Sequence, residues 1–164
     1  MYLVSACLLG LKTRFDGESR FSQDAPVIPL ENLIPVCPEQ LGGLPTPRHP
    51  AEIQGGRGED VLAGKAVVIN SQGENVTRSF LKGARETLYL ALLYEVKGAF
   101  LKDGSPSCGC YSIYDGSFNG VKRPGSGVTA ALLRAYGINV YNEETFFGFK
   151  TSAKNLRGSS PDGS

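Results

Sequence analysis

The sequence predicts a single α/β domain whose sheet is mainly parallel. Short apolar runs typical of buried strands alternate along the chain with stretches of helical periodicity. The chain has 164 residues, 41% of them hydrophobic, which is enough for one core, and it shows no internal repeat or second domain. The predicted domain spans residues 1–150, and the polar stretch 151–164 is predicted to be a disordered tail.

The first half of the chain contains two predicted strands, each followed directly by a cysteine. They cover Tyr2–Ala6 and Leu33–Val36, although Pro35 weakens the pattern of the second. Residues 38–60 are rich in Gly and Pro and are predicted to form a long loop. The β-branched run "KAVVIN", followed by a "QGEN" turn and a valine, predicts a β-hairpin.

The middle of the chain contains the longest predicted helix. Thr77 is a candidate cap, and the helix is predicted from Arg78 to about Glu95, with Gly83 in its interior. That glycine costs roughly 1 kcal/mol relative to alanine. The apolar positions lie near helical spacing and are Phe80, Leu81, Ala84, Leu88, Ala91 and Leu92.

The last third of the chain repeats the alternation of strands and helices. "KGAFLK" predicts a third strand, and "IYDGSFNGV" predicts a β-hairpin. "SGVTAALLRAYG" predicts a helix that ends at Gly137, and "INVY" predicts a fourth strand. Four strands joined through helices favour a parallel sheet.

Charge and hydropathy argue against several classes of protein. Seventeen basic and sixteen acidic residues give a net charge of +1, which is not typical of proteins that bind a long nucleic acid through its phosphates. The N-terminus lacks the basic start of a signal peptide, and the apolar run "TLYLALLYEV" is too short to span a bilayer. We therefore predict a cytoplasmic protein with no membrane partner, whose four reduced cysteines serve metal binding or catalysis.

Three cysteines, Cys7, Cys37 and Cys108, fall just after predicted strand ends. In parallel sheets, ligands bind outside the carboxyl ends of the strands. If these strands are neighbours, the three thiols converge on one edge of the sheet.

The residues alone leave four interpretations of these thiols open. They are small buried hydrophobic groups, ligands of a structural zinc ion, a nucleophile with His49 as its base, or ligands of an iron–sulfur cluster. Zinc sites usually draw on local Cys-x-x-Cys pairs, and this chain has only Cys-x-Cys at Cys108 and Cys110. Three thiolates would leave one iron of a cubane open, as a Lewis-acid enzyme requires.

The blocks "SACLLG…RFDG", "PVCPEQLGGLPTPRHPAEI" and "LKDGSPSCGCYSIYDGSFNG…GSGVTAALLRAYGI" closely resemble single-domain bacterial relatives of thiouracil desulfidase. The resemblance covers about residues 1–141 and implies a three-layer Rossmann-like fold with a β-hairpin insertion. It also implies a 4Fe–4S cluster on Cys7, Cys37 and Cys108, which aerobic preparation is expected to remove. Cys110 departs from the family pattern, in which a small residue such as Ser is frequent, and its role stays open.

The resemblance further implies a catalytic glutamate, matched by Glu39 in "CPEQ", and assisting serines, matched by Ser105 and Ser107. The implied reaction is iron–sulfur-dependent, non-redox hydrolysis of the C–S bond in thiouracil or thiouridine, giving uracil or uridine and sulfide. The partner is then a small thiobase or thionucleoside, with modified RNA possible but not indicated by charge. The alternatives are a carrier of sulfide or of a cluster, and a zinc-stabilised binding module.

Further polar residues close to the cysteine loops in sequence are candidates for binding the pyrimidine or a phosphate. They are Arg14, Asp16, Arg48, Lys102, Tyr114 and Asp115. Asp103 and Asp115 are the alternative bases if Glu39 is not the proton acceptor.

Overall fold

A computed structural model of the chain describes residues 1–22, 26 and 28–148. Within them lie eight strands and four labelled helices. The strands are β1 (Tyr2–Ser5), β2 (Leu33–Val36), β3 (Ala51–Gln54), β4 (Val67–Asn70), β5 (Ala99–Leu101), β6 (Ser112–Tyr114), β7 (Lys122–Pro124) and β8 (Val140–Asn142). The helices are α1 (Pro38–Leu41), α2 (Gly58–Leu62), α3 (Thr77–Leu93) and α4 (Val128–Ala135). Residues 143–148 are also helical.

The central sheet contains the four strands that the sequence predicted, in the order β2-β1-β5-β8. All three pairings are parallel, with Leu3 opposite both Ile34 and Ala99, and Phe100 opposite Tyr141. The predicted α/β class with a mainly parallel sheet is confirmed. The strand ends differ from the predicted ones by at most two residues.

Both faces of this sheet are covered, which gives the predicted three layers. Successive side chains of a strand point to opposite faces. Leu3 and Leu101 therefore pack with Leu88 and Leu133 of α3 and α4. Val4 and Phe100 face the other way and pack with Phe146 in the helical segment 143–148.

The predicted loop 38–60 is wrong in its details, because it contains α1, β3 and the start of α2. The hairpin predicted around "QGEN" is present only in reduced form, because Ile69 and Asn75 form a single antiparallel bridge, and the main partner of β4 is the earlier strand β3. The reason is burial: Ile53 of β3 and Val68 of β4 are fully buried in a second core cluster. This antiparallel pair is the insertion beside the main sheet, and the other predicted hairpin, β6–β7, is confirmed.

The glycine inside α3 permits close contact between α3 and α1. A Cβ added at Gly83 would lie 1.8 Å from the Pro38 carbonyl oxygen, and one added at Gly42 would lie 2.1 Å from the Ser79 carbonyl oxygen. Glycine is therefore required at position 83 for α1 to pack against α3, although it lowers the helix propensity of α3. Helix α1 begins directly after Cys37.

The beginning of α3 differs from the prediction. Thr77 is the first helical residue and not the cap, and its hydroxyl accepts a hydrogen bond from the Val68 N–H. The Asn75 side chain instead accepts the N–H of Thr77, at 3.1 Å. At the end of α4 the predicted stop is present, because Gly137 adopts φ 77° and donates its N–H to the Arg134 carbonyl.

The predicted tail 151–164 and the predicted domain end at residue 150 lie outside the described residues. Among the residues that the structure does describe, no helix is long and apolar enough to cross a membrane.

Candidate functional site

A cavity of about 440 Å³ opens at the carboxyl end of the central sheet and contains three of the four thiols. Cys7 lies in a 3₁₀ turn after β1, Cys37 lies between β2 and α1, and Cys108 lies in the loop after β5. Because β2, β1 and β5 are adjacent and parallel, the three loops leave the sheet on the same edge. The structure thus brings together the three cysteines that the sequence placed at strand ends, and all of them are free thiols.

The cysteine loop of residues 104–110 is held by side-chain hydrogen bonds. The hydroxyl oxygen of Ser105 accepts the N–H groups of Ser107 and Cys108, each at 3.1 Å. The carboxylate of Asp103 accepts the N–H groups of the three residues 110–112. Burial alone would raise the pKa of Asp103, but these backbone donors outweigh it and lower the pKa.

Burial raises the pKa of two of the three cavity thiols, Cys7 and Cys108, and so favours their protonated forms when no metal is bound. Burial, with a smaller contribution from Cys37, raises the pKa of Cys7 to about 11. Burial also raises the pKa of Cys108, while a hydrogen bond from the Ser5 hydroxyl acts in the opposite direction. A metal that binds these sulfurs therefore has to displace their protons.

The fourth cysteine, Cys110, does not reach the cavity. It is 2% exposed and packs in the core between the sheet and helices α3 and α4. Its Sγ contacts the carbonyl oxygens of Leu101, Cys108 and Tyr141 at 3.3–3.5 Å. Burial raises the pKa of this thiol to about 12. Cys110 is therefore a buried core thiol in this structure.

Glu39 lies in the first turn of α1 and lines the same cavity as the three thiols. Its Oε2 accepts a hydrogen bond from Arg48 Nε at 2.5 Å, and its Oε1 lies 3.4 Å from the Ser105 hydroxyl. The Arg48 side chain is only 7% exposed. Its remaining N–H groups donate to the carbonyl oxygen of Thr13 and to the hydroxyl of Thr46. Arg48 thus joins its own loop and the loop of Thr13 to helix α1, which carries the carboxylate.

Ser107, a predicted catalytic residue, does not line the cavity. It is 1% exposed, and its hydroxyl pairs with that of Thr129 in α4 at 2.8 Å. The two serines of "SPS" therefore differ, because the turn directs one hydroxyl to the cavity and the other to the helix. The geometry supports a site role for Ser105 and a structural role for Ser107.

The other predicted polar residues divide into two groups. Arg14, Arg48, Lys102 and Tyr114 line the cavity. Asp16 binds Arg14 at 2.7 Å and Asp115 binds Ser117 at 2.6 Å, and neither lines the cavity.

Two of the candidate bases, His49 and Asp103, are poorly placed to accept a proton in the thiol cavity. His49 lies in a neighbouring cavity of about 430 Å³, which shares only Glu39, Arg48 and Ala51 with the first. Asp103 does line the thiol cavity, but both of its oxygens are occupied by the loop around residues 110–112.

Several cavity residues were missed by the sequence analysis, among them Ser5, Arg20, Glu52 and Lys122. Ser5 is the last residue of β1, and the pattern "SAC" could have suggested it because it immediately precedes the first cysteine turn. Glu52 lies in β3, and the Pro and Gly residues around this strand predict a loop, so the sequence does not indicate the direction of its side chain.

The donor set fits an iron–sulfur cluster held by three cysteines. Three free thiols face one cavity, and thiolates are the ligands that such clusters use. Among residues 1–22, 26 and 28–148, no group of three or more His, Cys, Asp or Glu side chains is placed to hold a metal ion. This finding includes the three thiols, so it does not distinguish a cluster from a zinc ion, which needs four donors within about 2.3 Å.

Comparisons with known proteins agree with this geometry. A family model described as 2-thiouracil desulfurase matches residues 2–145. The uncharacterised protein YbbK of Bacillus subtilis (strain 168) is 46% identical over 144 residues, which are 87% of this chain and 95% of YbbK. A solved structure of the 4Fe-4S-dependent thiouracil desulfidase TudS superposes with a TM-score of 0.76 at 40% identity, covering 93% of this chain and 97% of that one.

Proposed function

The chain belongs to the 2-thiouracil desulfurase family, and from this we propose that it hydrolyses the C–S bond of a thiolated pyrimidine. Water replaces the sulfur of thiouracil or thiouridine, and the products are uracil or uridine and sulfide. The observation that carries the proposal is the presence of three free thiols and Glu39 around one cavity. The cavity of about 440 Å³ has to hold a cluster bound to the three thiols as well as the substrate, so it suits a small molecule such as a nucleobase.

We propose Cys7, Cys37 and Cys108 as the ligands of a 4Fe–4S cluster. When bound, the cluster supplies a soft Lewis acid that prefers a thiocarbonyl to its oxo analogue and polarises the C–S bond. The core position of Cys110 supports three cysteine ligands instead of four. Four free thiols also support the proposed cytoplasmic location, where cysteines stay reduced.

Glu39 is the proposed general base that accepts the proton of the attacking water. Arg48 occupies Oε2, which leaves Oε1 directed towards Ser105 and the cavity. A base with one oxygen fixed presents the other in a defined direction, which is the geometric requirement for proton transfer.

Ser105 is the proposed partner of this base. Its oxygen already accepts two backbone N–H groups, so its own O–H is free to point at Glu39 Oε1 or at a bound water. The hydroxyl can thereby hold the water near the carboxylate that takes its proton.

The test is single-turnover sulfide release from thiouracil by reconstituted protein under argon, with uracil as the second product. Glu39→Gln keeps the size of the side chain and removes the base, so we expect the rate to fall by roughly 10²- to 10⁴-fold with the iron content unchanged. Glu59→Gln is the matched control, because Glu59 is exposed on α2 and away from the cavity. Wild-type protein with a full cluster that converts neither thiouracil nor thiouridine would instead indicate a carrier of sulfide or of a cluster.

A further inference from the structure

A carboxylate on the antiparallel pair β3–β4, Glu52, also lines the thiol cavity. Only 7% of this residue is exposed, which is unusual for a glutamate. Its Oε2 accepts the N–H of Phe118 at 2.9 Å. This bond ties β3 to the loop between β6 and β7 and fixes the orientation of the carboxylate.

The second oxygen of Glu52 differs from the other carboxylate oxygens of the cavity. Glu39 has Arg48 on one oxygen and the Ser105 hydroxyl near the other. Both oxygens of Asp103 accept hydrogen bonds within its own loop. For Oε1 of Glu52, the described part of the chain provides no hydrogen-bond partner.

That oxygen keeps contact with solvent. Among the described residues, no side-chain oxygen or nitrogen is both buried from solvent and without a hydrogen bond. Oε1 therefore keeps some contact with solvent, although almost all of Glu52 is covered. Glu52 lines the thiol cavity, which is therefore the solvent-filled space that this residue contacts.

Among the described residues, no cation forms an ion pair with this carboxylate. The three ion pairs among the described residues join Arg14 to Asp16, Arg48 to Glu39, and Lys102 to Glu143. Burial of a carboxylate without a cation is unfavourable unless donors satisfy it. The Phe118 N–H satisfies one oxygen, so the second oxygen is suited to a donor supplied by a ligand.

We propose that Oε1 of Glu52 accepts a hydrogen bond from the ring N3–H of the bound thiopyrimidine, and so selects uracil-type thiobases. This inference rests on the proposed function. In both 2-thiouracil and 4-thiouracil, N3–H is attached to the carbon that carries sulfur. A single acceptor can therefore serve either isomer at the reacting end of the ring. A carboxylate accepts only, so a thiocytosine-type ring, whose N3 is itself an acceptor, is rejected.

The experiment compares 4-thiouracil or 4-thiouridine, whichever the reconstituted wild type converts faster, with its N3-methyl derivative. For the wild type we expect methylation to lower kcat/KM by about 10- to 100-fold, the range for a hydrogen bond to a charged group. Glu52→Gln keeps an acceptor for Phe118 but presents an amide to the ring. It should lower kcat/KM for the unmethylated compound by a similar factor and reduce the methylation effect to about twofold. Iron content and melting temperature should stay at the wild-type values.

Gln54→Ala is the matched control for a purely structural role. Gln54 donates its side-chain amide to the Gly116 carbonyl at 3.0 Å, so it ties the same loop to the same strand without lining the cavity. This variant should keep the full discrimination against the methylated compound. If it loses that discrimination as Glu52→Gln does, the carboxylate acts only through the loop and the inference is overturned.

Two outcomes separate this inference from the proposed function. Equal conversion of the methylated and unmethylated compounds by wild-type protein would overturn the role of Glu52 and leave desulfuration intact. This comparison needs no variant, so it holds even if Glu52→Gln does not fold. Conversion of neither compound by protein with a full cluster would overturn the proposed function, and the role of Glu52 with it.

Discussion

Replacement of Arg48 by alanine should impair the enzyme through Glu39 and not through a separate contact with substrate. Arg48 donates to Glu39 Oε2 at 2.5 Å, and its other N–H groups reach Thr13 and Thr46 at 3.0 and 2.9 Å. These bonds hold the carboxylate of α1 against the loop of Arg48 and the loop of Thr13. Without them, Glu39 is free to rotate away from Ser105.

The size of the effect follows from the burial of the pair. Loss of one partner from a buried ion pair lowers the free energy of unfolding by about 3–5 kcal/mol. We expect the lower end, because Glu39 is 15% exposed and faces a cavity that water can enter. A base misplaced by roughly 1 Å costs on the order of 10²-fold in rate. Arg48→Lys, which keeps the charge but not the fork of donors, should fall between the wild type and alanine.

The assay is a double-mutant cycle on single-turnover sulfide release, with iron content measured for every variant. If Arg48 acts by positioning Glu39, Arg48→Ala should slow the wild type about 10²-fold and add at most about twofold to the defect of Glu39→Gln. Arg85→Ala, an exposed arginine on α3, is the control and should leave the rate unchanged. Fully multiplicative effects of Arg48→Ala and Glu39→Gln would refute the reasoning, because they would show that each residue acts independently.

Three further predictions follow from the described contacts. Cys108→Ser should abolish cluster assembly while Cys110→Ser leaves the iron content unchanged, and equal iron loss in both would contradict the core position of Cys110. Ser105→Ala should lower the rate of sulfide release. Ser107→Ala should leave the rate per cluster unchanged but lower the free energy of unfolding by about 1–3 kcal/mol, because it leaves the buried hydroxyl of Thr129 unpaired. Gly83→Ala should lower the melting temperature, although the same change usually stabilises a helix, because its Cβ would overlap a carbonyl oxygen of α1. A rise in melting temperature would show that α1 can move away at little cost.

The central sheet could be predicted because its strands are short, apolar and buried on both faces. Tyr2–Ser5 is an uninterrupted strand-forming run that ends just before the first cysteine turn, and Leu33–Val36 lies between Asn32 and the pair Cys37-Pro38, so both strands are visible in the sequence. Their parallel pairing then places Cys7 and Cys37 on one edge without further information. The convergence of the thiols is therefore a consequence of topology.

The insertion could not be predicted in the same way. Ala51–Gln54 is only four residues long and is surrounded by Pro and Gly, so its pattern is hidden among turn signals. Its pairing with Val67–Asn70 depends on burial of Ile53 and Val68 in a core that forms only in the folded chain. The cavity position of Glu52 follows from this pairing and was missed with it.

The direction of individual side chains is the other feature that could not be predicted from the sequence. The sequence identified Ser105 and Ser107 as equivalent members of one motif, and only the folded turn distinguishes them. The roles of Glu39 and Arg48 illustrate the same point. Both lie in recognisable blocks, but the 2.5 Å contact between their side chains depends on how the loop 42–50 folds back over α1.

The most direct test of the account is conversion of thiouracil in ¹⁸O-labelled water by protein with a full cluster, under argon and without added reductant. Hydrolysis exchanges the thiocarbonyl sulfur for one oxygen from water, so we expect one labelled uracil for each sulfide released. That result would identify the cavity lined by the three thiols and Glu39 as a site of non-redox desulfuration. Retention of a full cluster with no uracil formed, or uracil without the label, would contradict the account.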